Sequence, residues 1–296
     1  MINFTLRSLP GHWPTLETLD IGAMPEGIRR FQRLIDLGLA SVTSFEPQAE
    51  QRARLGPDSY GGRVLSDVLG DGRPGIFHVT HYPGCTSLLE PDPAVINMFH
   101  GIDAGPPDGN FTVIREESVN TRRLDDIDEC PMADYVKIDV QGAELLVLEN
   151  GTAKIADAVV IDSEVEFVAL YKNQPLFGEI QVFMRAQHFM FHKFIEIAGR
   201  TFRPTSLPDA TTALSQGLWA DAIFVKDFSH LECYSEKQLL KAAVVLHEVY
   251  ASFDLVRRLL LEYDCRSGEQ RATAYWAALQ DSSALQSMYM SLKTSI

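Results

Sequence analysis

Apolar, β-branched runs in this sequence repeatedly meet an acid. Asp20 lies in the run from Thr18 to Ile21, Glu46 follows Phe45, Asp67 stands in the run from Val64 to Leu69, Asp139 lies near the end of the run from Asp134 to Val140, and Glu164 near the end of that from Val159 to Val165. A carboxylate in an otherwise buried strand costs several kcal/mol unless it is paired or used. Asp139, Glu144 and Glu164 therefore stand as candidates to take a proton from a reacting hydroxyl. The same three side chains could instead hold a divalent cation, but they lack a diagnostic ligand spacing and no metal is assigned. His78 and His81 are further candidate bases. His81, beside Tyr82-Pro83-Gly84, is the better one, a solvent-facing loop histidine being the ordinary alternative.

Asp20 also opens a glycine turn, Asp20-Ile21-Gly22-Ala23-Met24-Pro25-Glu26-Gly27. Such a turn after the first strand of an open α/β sheet is where these sheets bind nucleotides. A dinucleotide site would carry G-x-G-x-x-G, so that pyrophosphate meets backbone N–H groups and a helix N-terminus. Here the central glycine is missing and Asp20 would repel an anion. A ligand with an adenosine and a cationic group but no phosphate, S-adenosylmethionine, suits Asp20, Gly22 and Ala23 better. Glu46, about one βαβ unit later, can accept hydrogen bonds from both ribose hydroxyls. Asp67 and the Asp71-Gly72 turn lie where an acidic loop reaches an adenine amino group, an exposed Asp-Gly turn being an equal reading of Asp71.

The elements that must position these residues follow from periodicity. Strands are expected at 18–21, 41–45, 64–69, 134–140 and 159–165, and helices at 29–37, 144–150 and 177–188. This alternation predicts a parallel sheet covered on both faces. Candidate strands at 189–197 and 220–226 are joined by a segment bearing Pro204 and Pro208 with no helix, which predicts an antiparallel pair. Extra strands at 75–82 and 111–119 flank a loop-like 101–110 and form an insertion over about 75–119. From Tyr234 the pattern turns helical, with a Ser235-x-x-Gln238 capping box and further stretches at 255–263 and 272–292. The chain thus divides into a ligand-binding domain, 1–230, and a helical extension, 231–296. The apolar faces of the extension must be covered by the sheet domain or a second copy, and three helical stretches lean toward a homodimer, with a monomer as the alternative.

The strings FEP (45–47), TSLLEP (86–91), TRRLDDI (121–127), KIDVQGAE (137–144), EVEF (164–167) and YKNQPLF (171–177) resemble the FkbM family of methyltransferases, over roughly 18–228. The resemblance implies the class I methyltransferase fold: a Rossmann-like, mostly parallel seven-stranded sheet with helices on both faces and an antiparallel last strand, here with the C-terminal helical extension. It also implies S-adenosylmethionine as cofactor and methyl transfer, with a hydroxyl of a sugar, glycan or small metabolite as the expected acceptor. Many members carry D-x-G-A-N-x-G. Met24-Pro25-Glu26 replaces its middle here and moves Gly27 one place on, which implies a different hold on the methionyl end of the cofactor.

Composition narrows the partners. Lys+Arg 26 against Asp+Glu 40 gives a formal charge of −14, which excludes a broad phosphate-neutralising surface, so neither nucleic acid nor an anionic membrane is expected. The four cysteines are dispersed and no apolar run approaches a membrane span. A soluble, cytoplasmic protein acting on a small molecule or glycan is expected. Two other readings remain open from sequence: a nicotinamide-dependent oxidoreductase, disfavoured by the missing glycine, and a noncatalytic interaction protein with a decayed methyltransferase fold.

Overall fold

The computed structural model describes residues 4–27, 29–55 and 62–282. Residues 17–27 and 42–226 form one compact unit. Its sheet comprises β1 (Leu16–Ile21), β2 (Ala40–Phe45), β3 (Arg63–Leu65), β6 (Tyr135–Ile138), β7 (Val160–Glu166), β8 (Phe189–Gly199) and β9 (Gly217–Lys226), and a separate hairpin comprises β4 (Pro74–Thr80) and β5 (Val113–Asn120). The strand order is β3-β2-β1-β6-β7-β9-β8. β2 with β3, β1 with β6, and β6 with β7 run parallel, whereas β9 enters between β7 and β8 antiparallel to both. This is the class I methyltransferase order that the alternation and the proline-bearing connection anticipate.

The central strands are apolar because both faces are covered: every residue of β6 is buried, and Leu19, Ile21, Val136, Ile138, Ile161 and Val165 pack into one core. The expected third strand is cut back to Arg63–Leu65. Asp67 lies in the loop beyond it and Leu69 makes only an isolated bridge to Arg122. The periodicity of Val64, Leu65, Val68 and Leu69 reflects burial near the sheet rather than one continuous strand. A helix at Ala49–Leu55 has no counterpart among the expected elements, while Glu144–Glu149 and Phe177–Ala186 fall where periodicity places them.

The second compact unit takes residues 4–16, 29–41 and 227–282. The helical extension expected from residue 231 therefore incorporates two earlier pieces of chain, which its periodicity alone does not reveal. Its helices are Glu236–Glu248, Phe253–Ser267 and Arg271–Asp281, with Gln32–Asp36 from the earlier part. The expected capping box is present: Gln238 N donates to Ser235 Oγ at 3.2 Å and Ser235 N donates to Gln238 Oε1 at 2.9 Å. Glu248 explains the joining of chain start to chain end. Its buried carboxylate accepts from Thr5 Oγ1 at 2.6 Å, Leu6 N at 2.7 Å and Arg33 Nε at 2.7 Å. Residues 283–292 of the expected last helix lie outside the described residues. Among the described residues no helix is long and apolar enough to cross a membrane.

Candidate active site

The C-terminal ends of the parallel strands surround a cleft of about 950 Å³. Crevices at this end of an open α/β sheet are where ligands bind. β1 contributes Ile21 and Gly22, β2 contributes Phe45 and then Glu46, the loop after β3 contributes Asp67, and β6 leads into Asp139, Val140 and Gln141. Gly22 is needed for backbone reasons: it sits at φ +83°, and a Cβ there would strike the Asp139 carbonyl. The two strand ends consequently lie close enough for the turn and Asp139 to share one cleft.

The turn offers no anion nest. Gly22 N and Ala23 N both donate to the Phe45 carbonyl, at 3.1 and 3.0 Å. Asp20 and Ala23 are buried and absent from the cleft lining, so their side chains support the turn and its neighbours; Asp20 faces Lys137 in strand register. Glu46 does line the cleft. One oxygen accepts Gln48 N at 2.6 Å, and burial pushes the carboxyl up to about 7 against the opposing effects of that hydrogen bond and of Arg52. Asp67 lines it too, held by Arg122 at 3.0 Å. Asp71 accepts Arg73 N at 3.0 Å, as a turn residue does.

None of the cleft's lining residues is Lys or Arg, while Glu26, Glu46, Asp67 and Asp139 all belong to it, along with apolar Leu69, Phe77 and Leu88. A pyrophosphate would find no cation among these lining residues, and the Gly22 and Ala23 N–H groups are already bound to Phe45. The residues present fit an adenosine that carries positive charge, and Glu46 is one of the acids lining that cleft.

A second cavity, of about 650 Å³, shares Tyr82, Gly84 and Gln141 with the first and adds Glu164, Glu166, Tyr171, Arg200 and Trp219. Gln141 is the junction. Its backbone is left-handed at φ +57°, followed by Gly142 at +93°, and its carbonyl accepts Ser87 Oγ at 2.8 Å. Its side-chain Nε2 donates to Asp139 Oδ1 at 2.9 Å and to Glu164 Oε2 at 2.8 Å. The Tyr171 hydroxyl, 3.1 Å from Gln141 Oε1 and 2.8 Å from the Cys85 carbonyl, orients that amide. Glu144 braces the loop from within, taking Val140 N at 2.7 Å and Gly142 N at 3.2 Å on one oxygen.

Electrostatics separates the carboxylates. Burial would raise Asp139, but Lys137 and Gln141 outweigh it and hold the group below the usual carboxylate range. Burial first, then the Asp139 and Glu166 charges, push Glu164 well above that range. Glu166 is raised in the same way, by burial and by Glu144 and Asp139, and Glu144 reaches about 7. Within the Asp139–Glu164 pair the surroundings therefore favour the charged form of Asp139 and the neutral form of Glu164.

Asp139, Glu144 and Glu164 each place one oxygen within 4.8 Å of the others, so the structure brings together the three acids singled out from sequence. Lys137 Nζ lies 3.1 Å from Asp139 Oδ2 and Gln141 Nε2 donates to Asp139 Oδ1 and Glu164 Oε2, whereas Glu144 Oε2 is buried without a hydrogen-bond partner. His81 is exposed, lines neither cavity, and donates its backbone N–H to the Thr112 carbonyl at 2.9 Å. His78 is buried beside Glu116, also outside both cavities. Gln141, Glu166, Tyr171, Arg200 and Trp219 received no individual role from the sequence. Gln141, Glu166 and Tyr171 lie within the KIDVQGAE, EVEF and YKNQPLF strings, and Gln141-Gly142 is a turn dipeptide that begins two residues after the strand-end acid Asp139.

Strand order, cleft position and cleft chemistry define a class I methyltransferase that uses S-adenosylmethionine. A family model described as "Methyltransferase FkbM domain" matches residues 20–191, more than half of the chain. The chain belongs to the FkbM methyltransferase family. No curated protein matches it. Solved structures similar to it include a provisionally assigned methyltransferase from Thermoplasma acidophilum, with 12% identity, TM-score 0.37, and 74% of this chain and 71% of that one covered. Another is a TehB-like SAM-dependent methyltransferase from Corynebacterium glutamicum, with 10% identity, TM-score 0.34, and 72% and 81% covered. A third is a magnesium protoporphyrin IX methyltransferase from Synechocystis with bound SAM, with 10% identity, TM-score 0.35, and 72% and 71% covered. At these TM-scores the likeness adds nothing to the strand order itself.

Proposed function

We propose that the chain methylates a hydroxyl oxygen of a small polar acceptor, a sugar or other hydroxylated metabolite, held in the cavity beside the cofactor cleft. The observation that carries the reading is the placement of Gln141, whose one amide nitrogen binds Asp139 on the cofactor side and Glu164 on the acceptor side. Bound S-adenosylmethionine supplies an electrophilic methyl group on a sulfonium. The protein must then align a nucleophile with it, exclude water, and take the hydroxyl proton as charge develops.

The Asp139–Glu164 pair meets the last need. Asp139 favours its charged form and Glu164 its neutral one, so an acceptor hydroxyl lying against the pair can pass its proton to the Asp139 carboxylate while the Glu164 carboxyl donates a hydrogen bond. Gln141 and Lys137 hold Asp139 in place. Glu46 takes the ribose hydroxyls, and Asp67 borders the same cleft for the adenine end. His81, exposed and outside both cavities, has no part in this scheme.

The test is a transfer assay with methyl-labelled S-adenosylmethionine and a panel of sugars and small hydroxylated compounds, after calorimetry with S-adenosylhomocysteine. Stoichiometric cofactor binding with label recovered as an acid-stable methyl ether is expected. Label recovered on nitrogen or carbon would overturn the oxygen assignment, and failure to bind the cofactor would favour a noncatalytic role.

A further inference from the structure

One acid lining the cofactor cleft, Glu26, takes no part in holding adenosine or in moving a proton. It belongs to the turn after β1 and lines the cleft with Gly22, Met24 and Gly27. Met24-Pro25-Glu26-Gly27 is a closed turn: Gly27 N donates to the Met24 carbonyl at 3.0 Å, and Pro25 fixes φ at the residue before Glu26. The Glu26 side chain is 54% exposed, so a ligand in the cleft can reach it. Arg54 Nη2 donates to its Oε1, and its Oε2 makes no hydrogen bond to any described residue.

Strand order decides which part of the cofactor meets this turn. The strands run β3-β2-β1-β6, with Asp67 beyond β3, Glu46 at the end of β2, the turn after β1, and Asp139 and Gln141 after β6. The acceptor cavity joins the cleft at Tyr82, Gly84 and Gln141. An adenosine with its adenine end by Asp67 and its ribose at Glu46 brings its sulfur between that ribose and the junction, so the amino-acid chain on the sulfur falls at the β1 turn. That chain ends in an ammonium and a carboxylate. No lining residue is Lys or Arg, and the Gly22 and Ala23 N–H groups are spent on Phe45, so the turn offers an acceptor to the ammonium rather than a donor to the carboxylate. The other lining acids are occupied: Asp67 meets Arg122, Glu46 accepts Gln48 N, and Asp139 meets Lys137 and Gln141. Asp20, the first acid of the turn, is buried and lies outside the lining.

We infer that Glu26 binds the α-amino group of the cofactor's methionyl end, its Oε2 accepting from the ammonium while Arg54 holds Oε1. The Met24-Pro25-Glu26 replacement thereby supplies a side-chain contact where the N–H groups of the turn have nothing left to give. The inference rests on the orientation proposed for the cofactor, ribose at Glu46 and adenine by Asp67.

Full-length protein is titrated calorimetrically at pH 7 with S-adenosylhomocysteine and with its desamino analogue, in which hydrogen replaces the α-amino group. The wild type should bind S-adenosylhomocysteine about three- to tenfold more tightly, the scale of a solvent-accessible hydrogen bond between charged groups. Glu26→Gln should remove most of that preference, weakening S-adenosylhomocysteine but not the analogue. Equal binding of the two ligands by the wild type, a preference that survives in Glu26→Gln, or an equal loss for both ligands in that variant overturns the inference, the last by making Glu26 a support of the turn. Failure of the wild type to bind S-adenosylhomocysteine would instead overturn the cofactor reading. A Glu46→Ala variant that binds both ligands as the wild type does would overturn the orientation.

Discussion

Lys137 Nζ lies 3.1 Å from Asp139 Oδ2, an ion pair between residues two apart where β6 ends and the loop carrying Gln141 begins. Burial disfavours the Lys137 charge, but Asp139 and Asp20 more than offset it and raise its pKa, so the lysine is a cation at every accessible pH. That fixed charge favours the ionised form of Asp139 beside Glu164, whose neutral form is favoured. Asp139→Asn preserves shape and removes the negative charge, so turnover should fall by at least about 10²-fold while S-adenosylhomocysteine still binds. Steady-state rates and calorimetry on the same preparation check this. A variant with lowered thermal stability and undiminished turnover would make Asp139 only the structural partner of Lys137.

Glu46 carries the cofactor prediction. Burial pushes its carboxyl up to about 7, and the ionised form, with both oxygens free of a proton and carrying charge, accepts from ribose hydroxyls much more strongly than the neutral acid. Glu46→Ala should weaken S-adenosylhomocysteine binding by about 1–3 kcal/mol. In the wild type, affinity should be flat above pH 7 and fall below it, approaching about tenfold per pH unit as the proton must first be expelled. Glu46→Gln should remove this slope. Calorimetry from pH 5.5 to 8 decides it, and a wild-type affinity independent of pH would remove Glu46 from the ribose site.

What the sequence displayed and what it hid differ in physical kind. Asp139, Glu144 and Glu164 were legible because an acid inside an apolar run is expensive unless it has a purpose, and the structure brings all three within 4.8 Å. The antiparallel end of the sheet was legible from Pro204 and Pro208, which leave no room for a crossover helix. Gln141 was not legible, because its importance lies in a left-handed backbone that turns one amide toward two strands. Arg200 and Trp219 stand 19 residues apart in an irregular connection and the strand after it, and nothing in their spacing announces that they stack. Asp20 and Ala23 look like ligand contacts because the turn's pattern is shared by sites that bind through its N–H groups, yet here those N–H groups are spent on Phe45.

Glu248 is the buried anion that joins the chain's start to its last helices. Thr5, Leu6 and Arg33 all donate to it, and its side chain is inaccessible to solvent. Glu248→Ala leaves those donors without their acceptor, and the expected loss is about 3 kcal/mol or more, the range for breaking a buried pair. Denaturant unfolding measures it. A change below about 0.5 kcal/mol, as for an ordinary surface substitution, would show that the network contributes geometry rather than stability.

The remaining prediction concerns pH and stability, and its sign is opposite to that of a protein held by salt-bridged acids. Glu46 and Glu144 are each raised by burial to about 7 from an ordinary 4.5, and burial likewise raises Glu164 and Glu166 well above that ordinary value. The folded chain therefore retains protons that the unfolded chain releases between about pH 4.5 and 7, so stability falls as pH rises through that window. Each raised group contributes a loss on the order of a few kcal/mol at most. Asp139, lowered rather than raised, acts the other way, and its contribution is lost only at more acidic pH. The melting temperature should accordingly peak near pH 5 and decline toward pH 8. Glu144→Gln tests the cause. The amide keeps a carbonyl for Val140 N and Gly142 N but cannot ionise, so the variant should match or slightly trail the wild type at pH 5 and melt higher at pH 8. A wild type that grows more stable from pH 5 to pH 8, or a Glu144→Gln curve parallel to it, would place these carboxyls in contact with water and remove the basis for a protonated Glu164.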